Sequence, residues 1–371
     1  MNPLLMFAAS LVTCSTPKTI APFFHEIAYE SFPSAASIVR SIEQHPKLFF
    51  RGGCSGLRVG DFHGRNMDWT IDTKNYYLVR VSAKPDRLAS MGVAMAFYGD
   101  DRELLPWVMM DGINSKGVAV QVNVVPTGDC GITVSTKPGA PRLATPMVVR
   151  YLLDRAESAA GAVELIRGVD LFGNGKNELH WMISDERTSY VVEVVSNSVR
   201  AIEHPLITNF YVTESPYAKK GGAFTKGAAG IERYERLRRW LGKVKTHEDM
   251  LSAMKEEWYT NAYRPGVESA WWSEFNGIEW TDPDTGRKWS FAQDDGGEGH
   301  PESEAHRARM KYLRGIQPKF AMEMKAERET GVRNDLSYWM TVESECYDLR
   351  NRRLYIRMHE RDPLFSFELL Q

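Results

Sequence analysis

Cysteine is scarce in this 371-residue chain, with four residues at Cys14, Cys54, Cys130 and Cys346. No two form a CxxC pair or a zinc-type Cys/His spacing, and so few scattered thiols do not make a disulfide framework. Long apolar runs are missing too, since nothing approaches the ~18 residues of a membrane-spanning helix. Neither charge sign dominates: 46 Lys and Arg face 48 Asp and Glu, a net charge of −2. That removes the electrostatic reason to expect nucleic acid or an anionic membrane as partner. The apolar start of the chain lacks the basic residues that open a secretory signal, the first being Lys18. A cytoplasmic location is the expectation, with a secreted or periplasmic one as the alternative.

What is present is ordinary for a globular protein, 43% hydrophobic and 25% charged residues. The length suffices for one large domain or two smaller ones. Ten tryptophans, several between Trp258 and Trp289, point to aromatic packing or an apolar groove. Ser34 to His45 has the apolar spacing of an amphipathic helix, with Ser34 as N-cap. Strands are expected at Tyr76 to Ser82, Val93 to Tyr98, Trp107 to Met110 and Val118 to Val125, with a turn at Asp111 to Gly117. Helices are expected at Thr145 to Ala156, capped by Thr145 with Pro146 behind it, and at Ala159 to Ile166. Leu179 to Ile183 and Ser189 to Val195 alternate as a hairpin, Gly230 to Leu241, His247 to Trp258 and the charged stretch Glu302 to Arg314 read as helices, and Tyr338 to Ser344 with Arg353 to Met358 close a sheet.

The chain is organised around residues 51–69, Arg-Gly-Gly-Cys-Ser-Gly-Leu-Arg-Val-Gly-Asp-Phe-His-Gly-Arg-Asn-Met-Asp-Trp. Cys54 to Val59 and Phe62 to Trp69 make two strands joined by Gly60-Asp61, where a leading Gly suits a type II′ turn. Pairing outward sets Arg58 against His63, Gly56 against Arg65 and Cys54 against Met67. Strict alternation places Asp68 on the opposite face from Met67, so an approach to Cys54 requires a bulge or a turn at the strand end.

A strand opening with Cys54 and returning through Gly64-Arg65-Asn66-Met67-Asp68-Trp69 resembles the linear-amide C–N hydrolases, or choloylglycine hydrolase family. That group includes bile salt hydrolases, penicillin V acylases, acid ceramidase and the N-acylethanolamine acid amidases. Its members are N-terminal-nucleophile (Ntn) hydrolases, in which the Cys becomes the first residue of the mature chain. The likeness covers Cys54 to Leu241 and the final hairpin, with a Cys-to-Arg interval shorter than is usual in the family. It implies an α+β fold, a four-layer αββα Ntn-hydrolase sandwich of antiparallel sheets. Residues 1–53 become a propeptide containing one helix, and 54–371 the hydrolase domain, with an insertion at about 259–330.

The resemblance also assigns roles. Asn123 falls where bile salt hydrolases carry an oxyanion-hole Asn, and the Thr208-Asn209 pair resembles the family's second catalytic Asn. Arg233 matches a late Arg at the start of a helix. Cys54 is then the nucleophile, its freed α-amine the base, Asp68 the group that orients that amine, and Arg65 the charge that favours the thiolate. Asn123 and Asn209 hold the oxyanion and Arg233 supports the electrostatics. Gly52-Gly53 permits the strained backbone that self-cleavage before Cys54 requires. No cofactor or metal is called for; Asp282, Asp284, Asp294 and Asp295 lack EF-hand spacing. The expected partner is a small-molecule N-acyl amide, without nucleic acid or stable membrane insertion, and a homo-oligomer is compatible. Three other readings stand beside this one: acyl transfer on the same fold, a papain-like hydrolase using His63 or His180, and a non-catalytic binding relative. Against the second, His63, opposite Arg58, is expected to face away from Cys54.

Overall fold

The computed structural model describes residues 12–21, 23–44, 53–70, 75–96, 102–126, 136–173, 177–215, 217–218, 230–256, 278–291, 339–358 and 363–369. Gly52, Cys130, and most of the 259–330 segment with its Trp271-Trp272 pair, Asp294-Asp295 and the helix expected from Glu302 to Arg314 lie outside the described residues.

Three strands, β1 (Thr13–Cys14), β2 (Lys18–Ala21) and β3 (Phe24–Ser31), precede helix α1 (Ala35–Gln44). The hairpin β4 (Gly53–Val59) and β5 (Phe62–Thr70) follows, then β6 (Tyr76–Val81), β7 (Ser90–Met95), β8 (Asp111–Asn114) and β9 (Ala119–Pro126). After β10 (Arg142–Ala144) come α2 (Val148–Arg155), α3 (Ala159–Arg167) and β11 (Asp170–Phe172). Next are β12 (Asn177–Ser184), β13 (Ser189–Val195), β14 (Ser198–Glu203) and β15 (Leu206–Ile207). Helices α4 (Ile231–Arg238) and α5 (His247–Glu256) lead to a small hairpin, β16 (Ile278–Thr281) with β17 (Lys288–Phe291). Strands β18 (Trp339–Asp348), β19 (Arg353–Met358) and β20 (Phe365–Glu368) end the described chain.

Among the described residues the larger sheet runs β1-β3-β6-β7-β8-β9-β12-β13-β14, with β2 also on β3, and the second runs β15-β4-β5-β18-β19-β20. Helices α2 and α3 lie on the larger sheet, α4 and α5 on the second, and the sheets meet where β9 rests on β4 and β12 on β15. Helix, sheet, sheet, helix is the αββα order, and the fold is α+β. Within these two sheets the pairing is antiparallel except for β3 with β6, and β10 and β11 form a separate parallel pair. Apolar side chains fill the layers: Val148, Leu152 and Leu153 of α2 are buried in the main core, and Met250 and Met254 of α5 in a second cluster with Leu57, Ile207 and Cys346.

The hairpin has the expected register, Val59 with Phe62 through Cys54 with Met67. Gly60 takes φ +58°, and Asp61 is not among the positive-φ residues, the pattern of a II′ turn. Ser34 Oγ accepts from the Ser37 amide, capping α1.

Three local expectations are corrected. Trp107 to Met110 does not form a strand; Leu105–Trp107 is a single 3₁₀ turn, because Pro106 sets a helical φ and has no N–H for a ladder. Asp111 to Asn114 is a strand, and the turn is confined to the residues after it, where Gly117 takes φ +77°. Thr145 does not cap a helix; it begins a 3₁₀ turn with no side-chain cap that runs into α2.

The N-terminal segment holds more than one helix. Phe24, Ile27 and Tyr29 of β3 are buried, and the strand lies in parallel beside β6. Gly92 marks another tight point: a Cβ there would stand 2.1 Å from the Asp111 carbonyl oxygen and 2.5 Å from Gly112 Cα. Backbone cannot swing aside as a side chain can. Gly92→Ala is therefore expected to cost about 1–3 kcal/mol, read as a lowered urea midpoint. An unshifted midpoint would show that β7 and β8 can separate freely.

Candidate active site

The β4–β5 hairpin divides its side chains between two layers. His63 and Arg65 point to the larger sheet, where they meet Gln121 and Asp111. Ser55 and Asn66 point to the helices: Ser55 Oγ accepts from Arg233 of α4 at 2.8 Å, and Asn66 Nδ2 donates to the Met254 carbonyl of α5 at 2.7 Å. Cys54 opens β4, buried, with Sγ 4.0 Å from Arg65 Nη2.

Arg233 holds the main chain of Cys54 rather than its sulfur. Its Nη1 donates to the Cys54 carbonyl at 2.6 Å and reaches Asp68 Oδ2 at 3.3 Å, while Nη2 donates to Asn209 Oδ1 at 2.5 Å. A cation in the first turn of a helix opposes the helix dipole. Here the carboxylate, carbonyl and amide oxygen outweigh that cost. Gly230, at φ +91°, lets α4 start against Thr208, where a Cβ would come within 2.6 Å.

The amide of Cys54 donates to Asn209 Oδ1 at 2.9 Å. That nitrogen is the atom that becomes the α-amine if the chain is cut before Cys54. Asn209 thus faces Cys54 with its oxygen, while its Nδ2 donates to the Val124 carbonyl at 2.6 Å. Asn123 makes the reciprocal bond, Nδ2 to the Thr208 carbonyl at 2.9 Å. These crossed bonds stitch β9 to the segment after β15. Each amide NH₂ has two hydrogens, so one remains on each.

Asp68 needs no bulge in its own strand. Pairing of β4 with β5 is unbroken and sets Asp68 opposite Gly53, and the register shift falls in β18 between Thr341 and Glu343. Thr341 Oγ1 donates to Asp68 Oδ1 at 2.7 Å. Asp68 therefore stands beside the peptide preceding Cys54, on the Arg233 side. Burial raises the Cys54 thiol pKa above its ordinary value, with Asp68 adding to the rise and Arg65, then Arg233, opposing it.

Five of the residues singled out in the sequence thus form one connected cluster around Cys54, and Asn123 joins it through Thr208. The sequence model of the acyl-coenzyme A:6-aminopenicillanic acid acyl-transferase family matches residues 57–267, more than half of the chain. The chain belongs to that family. Arg65, Asp68, Asn123, Asn209 and Arg233 lie within the segment matched to the acyl-transferase family, and Cys54 lies just before it. No curated protein matches the chain. Among solved structures, two variants of conjugated bile acid hydrolase from Clostridium perfringens are similar. One is 17% identical with a TM-score of 0.42, the other 15% identical with a TM-score of 0.41, each match covering 85% of this chain and 92% of theirs. Penicillin V acylase from Agrobacterium tumefaciens is 12% identical with a TM-score of 0.35, covering 85% of this chain and 86% of that one.

The site in this acyl-transferase family member has parts that motif reading missed. Arg65 Nη1 pairs with Asp111 and, at 2.8 Å, with Glu343 Oε1; Glu345 completes a fully buried acidic group. Tyr347 donates to Asp111 Oδ1 at 2.5 Å. Burial works against the Arg65 charge, but Asp111 and then Glu343 more than offset it, and its pKa is raised. Burial pushes Glu343 up to about 8 and Glu345 well above the carboxylate range. Glu343 and Glu345 are thus held toward their neutral forms. Asp111, Glu343 and Glu345 are also the residues that could hold a metal ion among those described, with ligand oxygens within 4.8 Å of one another. The available signal was Glu343-Ser344-Glu345 in a strand otherwise built for burial, which sets two acids on one face.

His63 lies on the Cys54 face of the hairpin, contrary to the expectation that it points away. Its two nitrogens are engaged by Ser184 and Gln121 at 2.8 and 2.9 Å. His180 faces Glu193 and the Thr208 carbonyl. Both imidazoles are thus committed to partners other than Cys54. Among the described residues, no helix is long and apolar enough to cross a membrane.

Proposed function

We propose that this chain cuts itself before Cys54 and then uses that residue to cleave the linear C–N bond of an N-acyl amide. The observation that carries the reading is the setting of Cys54. Its nitrogen is held by Asn209, its carbonyl by Arg233, and its sulfur lies beside the Arg65 guanidinium.

In the first step Sγ attacks the Gly53 carbonyl carbon. The Gly53–Cys54 bond breaks, the thiol proton passes to the departing nitrogen, and water hydrolyses the resulting thioester. The α-amine so released, with an ordinary pKa of ~7.7–8.0, is a usable base near neutrality. It takes the thiol proton as sulfur attacks the substrate carbonyl, then protonates the leaving amine. Water resolves the acyl thioester and restores the thiol. Asn209 Oδ1 and Asp68 orient the amine, Arg65 favours the thiolate, and the remaining amide hydrogens of Asn123 and Asn209 face the oxyanion. No step requires a cofactor.

The description of the matching family favours a second reading, in which an amine rather than water accepts the acyl group. The nucleophile and its surroundings are the same; only the acceptor differs.

Intact mass and N-terminal sequencing of purified protein, held at acidic and at neutral pH, test the self-cleavage. The expected result is a chain beginning at Cys54, with the N-terminal piece still bound because β3 is built into the larger sheet. Cys54→Ala should remain whole. A wild-type chain left uncut under both conditions, with Cys54 inert to iodoacetamide, would favour a non-catalytic relative. Mass spectrometry of products with and without an added amine then separates transfer from hydrolysis.

A further inference from the structure

A second polar line runs through the core beside the nucleophile, and every bond in it has a direction. Its fixed point is the Thr208 carbonyl, which can only accept. Asn123 meets it through Nδ2, so Asn123 Oδ1 faces the other way, toward Gln121 Nε2 at 2.8 Å. The same Gln121 nitrogen faces the Ser55 carbonyl at 3.5 Å, a second group that only accepts. Gln121 Oε1 is thereby turned to His63 Nε2, 2.9 Å away, which must carry the ring hydrogen. His63 Nδ1 is left to accept from the Ser184 hydroxyl at 2.8 Å.

All four side chains are fully buried. Burial lowers the His63 pKa to about 3, so the ring stays neutral near neutrality, with its one hydrogen on the nitrogen that faces Gln121 Oε1. Gly56 makes room for the line, since a Cβ there would stand 2.5 Å from the Gln121 amide nitrogen.

We propose that Ser184, His63 and Gln121 are positioning residues: a one-way chain of hydrogen bonds that locks the Asn123 amide with its N–H end toward the acyl oxyanion. This rests on the reading of Asn123 as an oxyanion donor. An Asn amide is nearly symmetric in shape, so packing alone does not choose between its two orientations. The Thr208 carbonyl and Gln121 make the choice together, the one accepting from Nδ2 and the other donating to Oδ1. A carboxylate at position 121 would repel that oxygen and compete with Thr208 for Nδ2, unlocking the amide.

The test is steady-state hydrolysis of N-acyl p-nitroanilides by the cut enzyme. Losing an oxyanion donor typically lowers turnover ~10²–10³-fold. Asn123→Ala should fall in that range, Gln121→Glu by ~10²-fold and Gln121→Met by ~10-fold, with KM little changed. The order is diagnostic, because packing alone predicts that Glu, the closer match in shape, does less harm than Met. In an Asn123→Ala background neither Gln121 substitution should lower kcat further. Equal losses in that background would overturn the proposal, since Gln121 would then act through the fold. Unchanged kcat in Gln121→Glu and Gln121→Met beside a loss in Asn123→Ala would overturn it while leaving the oxyanion donor in place. An undiminished Asn123→Ala would remove that donor role and the positioning chain with it. Should Gln121→Glu not fold, Gln121→Met and its double variant decide the matter.

Discussion

Arg65→Met is expected to lose about 3–5 kcal/mol of folding stability together with most of the iodoacetamide reactivity of Cys54. Arg65 is fully buried and pairs with Asp111 and Glu343, while its other terminal nitrogen faces the Cys54 sulfur. Methionine fills much of the same volume and carries no charge. Asp111 and Glu343 then lose their guanidinium partner, and the thiol loses the strongest influence opposing its burial. Each effect has its own measurement, urea titration for the first and alkylation rate against pH for the second. Arg65→Lys separates them further, because one ammonium cannot face Asp111, Glu343 and Cys54 as a planar guanidinium does. Lysine should recover part of the stability and little of the thiol reactivity. An Arg65→Met protein as stable as wild type would mean that the acidic group does not depend on this residue.

Glu345→Gln should make the protein relatively more stable as pH rises. Burial, reinforced by Asp111 and Glu343, holds the Glu345 carboxyl neutral in the fold well above its ordinary pKa of 4.5. Below that value the side chain is protonated in both folded and unfolded chains and contributes no pH dependence. Above it the unfolded chain releases a proton that the native state keeps. Wild-type stability therefore falls by about 1.4 kcal/mol per pH unit from this group, until the folded pKa is reached. Glutamine has the shape of the neutral acid and no proton to lose. The two stability curves should coincide in acid and diverge toward neutrality, with the variant above. Parallel curves would mean that Glu345 ionises freely. A wild-type curve raised by added magnesium or calcium would mean that the three carboxyls hold a cation instead.

Much of the candidate site was legible because its signals are local. Gly60-Asp61 between alternating strands is enough to place Cys54 opposite Met67 and Gly56 opposite Arg65, and the register agrees. Arg233 was singled out by the resemblance, as a late Arg at the start of a helix. Asn209 was expected as an oxyanion donor; it lies beside Cys54, and its orientation was not legible: its oxygen, not its nitrogen, meets the Cys54 amide. That depends on the Val124 carbonyl, 85 residues away along the chain, taking its Nδ2. Asp68 was expected to approach Cys54 through a bulge or a turn at the strand end, whereas its own strand pairs with β4 unbroken and the irregularity lies in β18.

The amino-acid sequence by itself determined the hairpin, its register, the helices and the thiol at the head of a strand. Alternation, turn chemistry and helical spacing act within a few residues and need no distant partner. Only the tertiary structure decided that β3 enters the larger sheet beside β6, and that Asp111, Glu343 and Glu345 gather around Arg65. It alone also turned Gln121 and His63 toward Asn123. Buried charge and the direction of an amide are settled by which groups the fold brings from far along the chain to satisfy them, and no local pattern encodes that meeting.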